Sequence, residues 1–234
     1  MIRKQRKNRY LTWYDLLILT VILLGEGIYT STVLYLSLLQ GATTIGSNLV
    51  FSVADNYGAF AKQAGFLLLA LLYLWLRRFD FKRWPIRFHW KALVYGVLIF
   101  LAAALLNDLY YMLAAPLAAS LPFPGPFGAF FGNETVSTVI YAMLNGVYEE
   151  LYFLGICLSV KKEHLKWVVP LSLLIRVSFH TYQGLLSAVG IGVLFGGFLY
   201  LLYRRSKEKN LLPFFIAHAT ADVLGLGILS YFWL

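Results

Sequence analysis

Seven side chains in the second half of this sequence have types and spacings that could do chemistry together: Asn145, Glu149, Glu150, Arg176, His180, His218 and Asp222. Arg176 and His180 are four residues apart, as are His218 and Asp222, so on helices each pair shares one face. Asn145 stands one turn before Glu149. Glu149 and Glu150 are adjacent and diverge by about 100° around a helix axis, so both cannot address one atom. One can serve chemistry while the other pairs with a cation. A carboxylate and an imidazole can together polarise a water and take its proton. A second imidazole can donate to the oxyanion that develops on an attacked carbonyl. The signatures of three known kinds of intramembrane protease do not occur: the sequence has no HExxH for zinc, no GxSG serine and no GxGD aspartate.

The elements that carry these residues are apolar. Hydrophobic residues make up 60% of the 234-residue chain and charged ones 13%, with a mean hydropathy of +0.70. A soluble domain of this length needs more polar surface. Apolar runs recur over 13–39, 59–76, 92–115, 136–160, 167–183, 185–203 and 211–232, each near the roughly 20 residues needed to cross a bilayer. The expected fold is therefore all-α: a polytopic bundle of about seven transmembrane helices forming one domain over 1–234. The first run follows Arg3, Lys4, Arg6, Lys7 and Arg9. It is too long for a signal peptide and has no small-residue cleavage site, so a retained helix is expected.

Charge orients the bundle. Of the 20 Lys and Arg, 18 lie in 1–10, 77–91, 161–166 and 204–209, while the loops at about 40–57, 116–135 and 181–184 hold none. With alternating spans the four basic segments share one side, which the positive-inside rule makes cytoplasmic. The expectation is a multi-pass cell-membrane protein with a cytoplasmic amino terminus and an extracellular carboxyl terminus. The net charge of +9 then serves anionic lipid headgroups and no nucleic-acid partner is expected. The long outer loop carries Pro116, Pro122, Pro124 and Pro126 with Phe123, Phe127, Phe130 and Phe131. It should lie on the outer membrane interface rather than form regular helix. Gly192 and Gly196 form a GxxxG pair that lets another helix approach. Cys157, the single cysteine, should be a small core residue.

Ionisable groups inside spans cost roughly 2.5–3.5 kcal/mol each on insertion scales and are usually turned toward a site. Glu149 lies 12 residues before Lys161 and His180 lies 14 after Lys166; His218 and Asp222 lie 9 and 13 after Lys209. At 1.5 Å per residue these are depths of about 18, 21, 14 and 20 Å from the basic boundary. Three helices thus bring acids and imidazoles to similar depth. Glu26 and Asp108, also within apolar runs, lack a partner in the pattern and are assigned to packing or polar lining. Lys62, near an outer helix end, can snorkel to the interface.

Three stretches carry a resemblance to a known family. The run Asn145-Gly-Val-Tyr-Glu149-Glu150-Leu-Tyr-Phe-Leu-Gly resembles the EExxxR motif of the CPBP (CAAX protease and bacteriocin-processing, or Abi) membrane proteins. Ser178-Phe-His180-Thr-Tyr-Gln-Gly is similar to their second motif, and Ile216-Ala-His218-Ala-Thr-Ala-Asp222 to their third, HxxxN or HxxxD. The resemblance covers roughly 136–225, the expected catalytic core. It implies a glutamate-dependent intramembrane endopeptidase without a cofactor or metal, acting on a peptide or membrane-associated protein. It implies that Glu149 and His180 activate water, that His218 and Asp222 form or support the oxyanion site, and that Glu150 is supporting. Two positions depart from the pattern: Leu154 stands where the first motif has arginine, and Arg176 where the second has an aromatic residue. Arg176 is therefore expected to pair with Glu150 from the neighbouring helix, in a bidentate fork. Asp222 must either carry a proton or act by orienting His218, because an ionised carboxylate would repel an oxyanion. Other readings of the same residues stay open: a metal-dependent hydrolase with Glu149, His180, His218 and Asp222 as ligands; a non-catalytic membrane partner or regulator of a sensor kinase or cell-wall enzyme; and a transporter using the acids as proton relays.

Overall fold

The chain is described by a computed structural model over residues 8–41, 52–122 and 135–229. Arg3, Lys4, Arg6, Lys7, Pro124, Pro126, Phe123, Phe127, Phe130 and Phe131 lie outside the described residues, as does the carboxyl terminus. The described residues are all-α. The helices are α1 Trp13–Leu39, α2 Val53–Leu76, α3 Trp90–Ala118, α4 Val136–Glu150, α5 Leu165–His180, α6 Leu185–Val189, α7 Gly196–Arg205 and α8 Leu212–Leu224. Two π-helical segments interrupt the regular geometry: Leu151–Ile156 prolongs α4, and Gly190–Phe195 joins α6 to α7. Such segments are rare and often occur at functional sites.

Local chemistry sets the helix starts. Thr12 and Asp15 form a reciprocal capping box at α1, and Ser52 and Asp55 do the same at α2. The Ser52 cap starts α2 at Val53, earlier than the apolar run at 59 suggests, because the polar first turn hides it from a hydropathy reading. α3 runs through Pro116, a residue expected in the loop. α8 stops at Leu224, short of the expected 232, because Gly225 at φ 78° turns the chain.

Among the described residues, four helical segments are long and apolar enough to cross a membrane: α1, α2, α3 and the α6–α7 stretch Leu185–Arg205. The surface agrees with lipid as their solvent. Leu68, Leu72 and Trp75 on α2 and Leu105, Leu109, Met112 and Leu113 on α3 are exposed, an apolar area that a water-soluble monomer does not carry.

The described parts of the four basic segments meet at one end of the bundle. Asn8 exchanges backbone hydrogen bonds with Arg78 and Asp80 (2.9 and 3.0 Å), and the Leu11 amide donates to Ser159 (2.8 Å). The Asn210 amide group bonds both backbone groups of Arg87 (2.8 and 2.9 Å), and His89 faces Glu208 at 3.6 Å. Asp15 receives a two-pronged contact from Arg77 (2.7 and 3.2 Å). That carboxylate raises the Arg77 guanidinium above its ordinary range through the hydrogen bond and its charge.

Helices approach closely where a side chain would obstruct. A Cβ on Gly192 would lie 2.6 Å from the Val177 amide nitrogen on α5, and one on Gly196 would lie 3.1 Å from Arg176 Cδ. The glycine pair therefore seats α5. A Gly192→Ala substitution should lower the thermal unfolding midpoint in detergent, by an amount corresponding to about 1–3 kcal/mol of overpacking. Gly197→Ala, with no atom within 4 Å of the added carbon, should raise the midpoint slightly, because alanine is the better helix former by about 0.5–1 kcal/mol. Equal midpoints for both variants would contradict this packing.

Candidate active site

Glu149 and Glu150 close α4, and Gly146 one turn earlier admits α8. A Cβ at Gly146 would lie 2.6 Å from the Phe215 carbonyl oxygen and 2.9 Å from the Ala219 nitrogen. The backbone of α8 on either side of His218 therefore rests directly on α4. His218 is buried and reaches both glutamates. Its Nδ1 donates to Glu150 Oε1 at 2.7 Å, while its Nε2 stands 3.6 Å from Glu149 Oε2 and 3.6 Å from Asp222 Oδ1. Those two longer distances are too great for direct hydrogen bonds.

The two glutamates divide as their angular separation requires. Glu150 is fully buried and binds two groups through one oxygen: His218 Nδ1 and the Arg176 NH2 group, both at 2.7 Å. The expected pair between Arg176 and Glu150 is present. The expected bidentate fork is not formed. Oε1 is shared between His218 and Arg176, and Oε2 has no hydrogen-bond partner. The other faces of the guanidinium meet aromatic rings instead, with Phe153 4.0 Å and Phe195 5.7 Å from its central carbon to the ring centroid. Leu154, at the position where the family motif has arginine, is buried in the apolar core.

Glu149 is less engaged. Its Oε1 accepts from Asn145 Nδ2 at 3.2 Å, and its buried Oε2 has no hydrogen-bond partner. The same Asn145 nitrogen donates to Asp222 Oδ2 at 2.8 Å. The Asp222 side chain keeps 27% of its surface accessible, against 7% for Glu149 and none for Glu150. Asp222 thus lies at the open edge of the cluster. It does not hydrogen-bond His218; the residue that orients His218 is Glu150.

His180 ends α5. Its Nδ1 lies 2.8 Å from the Arg176 carbonyl oxygen, which can only accept, so Nδ1 carries hydrogen and Nε2 is left for another partner. Glu149 and His180 make no direct contact, and a group common to both would have to be a water or substrate atom. Among the described residues no three His, Cys, Asp or Glu side chains are grouped to hold a metal ion.

One member of the network went unread in the sequence. Gln63 on α2 donates to Asn145 Oδ1 at 2.7 Å. With its oxygen so occupied, Asn145 turns its NH2 toward both Glu149 and Asp222. A neutral amide inside an apolar run was the available signal. Glu26 pairs with Lys62 at 2.6 Å on an exposed face. Asp108 accepts from the amides of Ile228 and Leu229 (2.8 and 3.0 Å) and anchors the chain after α8.

Removing the cation from this cluster should be costly. Arg176→Leu strands a buried carboxylate, a loss of about 3–5 kcal/mol, and should sharply reduce folded yield and thermal stability. The double change Leu154→Arg with Arg176→Phe returns a cation to the cavity from α4 and should recover both relative to Arg176→Leu. Arg176→Lys should recover them in part, since an ammonium presents no planar face to Phe153. An Arg176→Leu protein as stable as the parent would show that the pair carries no structural weight.

Comparison with known proteins agrees with this cluster. Residues 131–224 match the family model described as Type II CAAX prenyl endopeptidase Rce1-like. No curated protein and no solved structure gives a match. The matched stretch contains Asn145, the two glutamates, Arg176, both site histidines and Asp222, and excludes α1, α2 and α3. Over residues 131–224 the chain is therefore similar to the CPBP, or CAAX-protease, family.

Proposed function

We propose that this chain is an intramembrane endopeptidase in which Glu149 takes the proton of the attacking water. The observation that carries the reading is Glu149 Oε2: buried, without a hydrogen-bond partner, and 3.6 Å from His218 Nε2. An unpartnered carboxylate oxygen in a water-poor interior is costly, and a bound water or peptide would complete its contacts. His180, with Nε2 uncommitted, shares in activating the water. The water oxygen bonds to the scissile carbonyl carbon as its proton passes to Glu149. His218, held by Glu150 through Nδ1 and carrying a second proton on Nε2, and Asp222 in its protonated form support the oxyanion that results. The carbon–nitrogen bond then breaks, and Glu149 returns its proton to the leaving amine. Glu150 and Arg176 are positioning residues in this scheme, and Asn145 holds Glu149 and Asp222 together. The substrate is a peptide or a membrane-associated protein.

Glu149→Gln, His180→Ala and His218→Ala should each abolish cleavage while the protein remains inserted and folded. Glu149→Gln should also retain bound peptides for identification by mass spectrometry. Cleavage that persists with Glu149→Gln would refute the assignment of the base. Activity should survive chelators, whereas a metal-dependent hydrolase would lose it.

The orientation proposed with this reading is a cytoplasmic amino terminus and an outer carboxyl terminus, supported by the meeting of the basic segments at one end of the bundle. Reporter fusions after residues 85, 163 and 207 should report cytoplasm, and fusions after 48, 125 and 234 the exterior. A cytoplasmic signal at 125 would overturn it.

A further inference from the structure

At the basic end of the bundle three helices part. Away from that end, α3 and the α6–α7 stretch touch. Tyr110 Oη donates to the Leu186 carbonyl at 2.9 Å and Tyr111 Oη to Ser187 Oγ at 2.7 Å, and a Cβ on Gly190 would lie 2.9 Å from the Tyr110 ring. Toward the basic end the start of α8 wedges them apart. On one side it meets Gly96 of α3, where a Cβ would stand 2.6 Å from Ile216 and 3.0 Å from the Pro213 carbonyl oxygen. On the other side Tyr203 of α7 packs edge-on against Phe214, with ring centroids 5.3 Å apart. The space left between α3 and α7 is a groove of about 590 Å³, within the size range of ligand-binding clefts.

The walls of the groove are apolar faces of two helices. Tyr95, Leu98, Ile99 and Ala102 recur at helical spacing along α3, and Phe198 and Leu202 stand one turn apart on α7. Buried Pro213 and Phe214 form the floor. The long side is open, since Tyr95, Leu98 and Ala102 are exposed, and lipid is the solvent of such a face. His89 caps α3, and Tyr95 and Ala102 lie 6 and 13 residues beyond that cap, about 9 and 20 Å along the helix. One leaflet supplies about 15 Å of hydrocarbon, half of the roughly 30 Å core. The exposed Phe88 and Trp90 beside the cap are side chains suited to the headgroup level. The groove therefore runs down one leaflet from its headgroups.

The mouth is polar and cationic. His89, Ser206, Lys207, Glu208 and Asn210 line it. Asn210 is committed to the Arg87 backbone, and Glu208 is turned to His89 at 3.6 Å. Glu208 is the one acid in 87–91 and 204–209, against Arg87, Lys91, Arg204, Arg205, Lys207 and Lys209. Lys207 is exposed at the mouth. An apolar groove one leaflet deep beneath a cationic mouth is complementary to an acyl chain that carries an anionic head.

We propose that this groove binds an anionic phospholipid of the leaflet at the basic end, with one acyl chain between α3 and α7 and the phosphodiester at Lys207. The site shares no lining residue with the cluster around Glu149 and does not depend on the protease chemistry.

The test titrates purified, delipidated protein in mild detergent with phosphatidylglycerol and with phosphatidylcholine of the same acyl chains, read by native mass spectrometry. One phosphatidylglycerol should bind to saturation, about fivefold more tightly than phosphatidylcholine, the contribution of one surface cation. Lys207→Glu should abolish that preference. Ala102→Trp, which fills the groove, should remove the bound lipid, whereas Leu113→Trp, on the exposed far part of α3, should not. Phosphatidylglycerol with a diazirine in its acyl chain tests the parent protein directly, and its adducts should map to 95–102 and 198–206. Equal affinity for the two lipids, a preference that survives Lys207→Glu, or adducts spread evenly over the exposed faces of α2 and α3 would overturn the proposal. So would a lipid-free dimer that Ala102→Trp dissociates, which would give the groove to a second copy of the chain.

Discussion

The contact between Arg176 and Glu150 is the constraint around which the rest of the bundle is arranged. Both side chains are almost wholly removed from solvent, and neither can be left alone at that depth without a penalty of several kcal/mol. Their pairing requires α5 to lie against α4 with its cationic face inward. The Arg176 carbonyl then bonds His180 Nδ1, so the residue that neutralises Glu150 also sets the orientation of an imidazole. Glu150 in turn holds His218. A single buried ion pair thereby orders side chains on three helices.

Backbone proximity makes this arrangement possible. Without water to drive helices together, association in a membrane depends on close packing and on interhelical hydrogen bonds. Gly146 brings α8 onto α4, and Gly192 and Gly196 bring the π-helical stretch onto α5. The aromatic rings of Phe153 and Phe195 complete the enclosure of the guanidinium. Nε and Nη1 of Arg176, which a second carboxylate oxygen could have engaged, have no hydrogen-bond partner. The departure at Leu154 is thus accommodated by neighbouring apolar side chains as well as by the displaced cation.

The cluster satisfies its two adjacent carboxylates unequally. Glu150 is committed to structure, while Glu149 keeps one oxygen without a partner. Asn145, braced by Gln63 from outside the matched family segment, links Glu149 to Asp222. The part of the chain before the matched segment therefore reaches the cluster through α2.

Much of this was legible in the sequence because periodicity and charge are local properties. Apolar runs announced the all-α membrane bundle, the distribution of Lys and Arg placed the basic segments on one side, and depth counted from those boundaries brought Glu149, His180, His218 and Asp222 to one level. The resemblance to the family motifs, with arginine missing at 154 and present at 176, anticipated the pair with Glu150. Other features depend on which atoms of different helices meet, and no spacing rule reaches that far. Only the tertiary structure decided that Glu150 rather than Asp222 holds His218, since both are within reach of α8 and the choice follows from the rotation of α4 about its axis. It also decided that Arg176 uses one prong of its fork, that Gln63 orients Asn145, and that α5 and α8 stop at the cluster. Helix length and helix rotation are settled by packing against partners far away in the chain, and that is information a one-dimensional pattern does not hold.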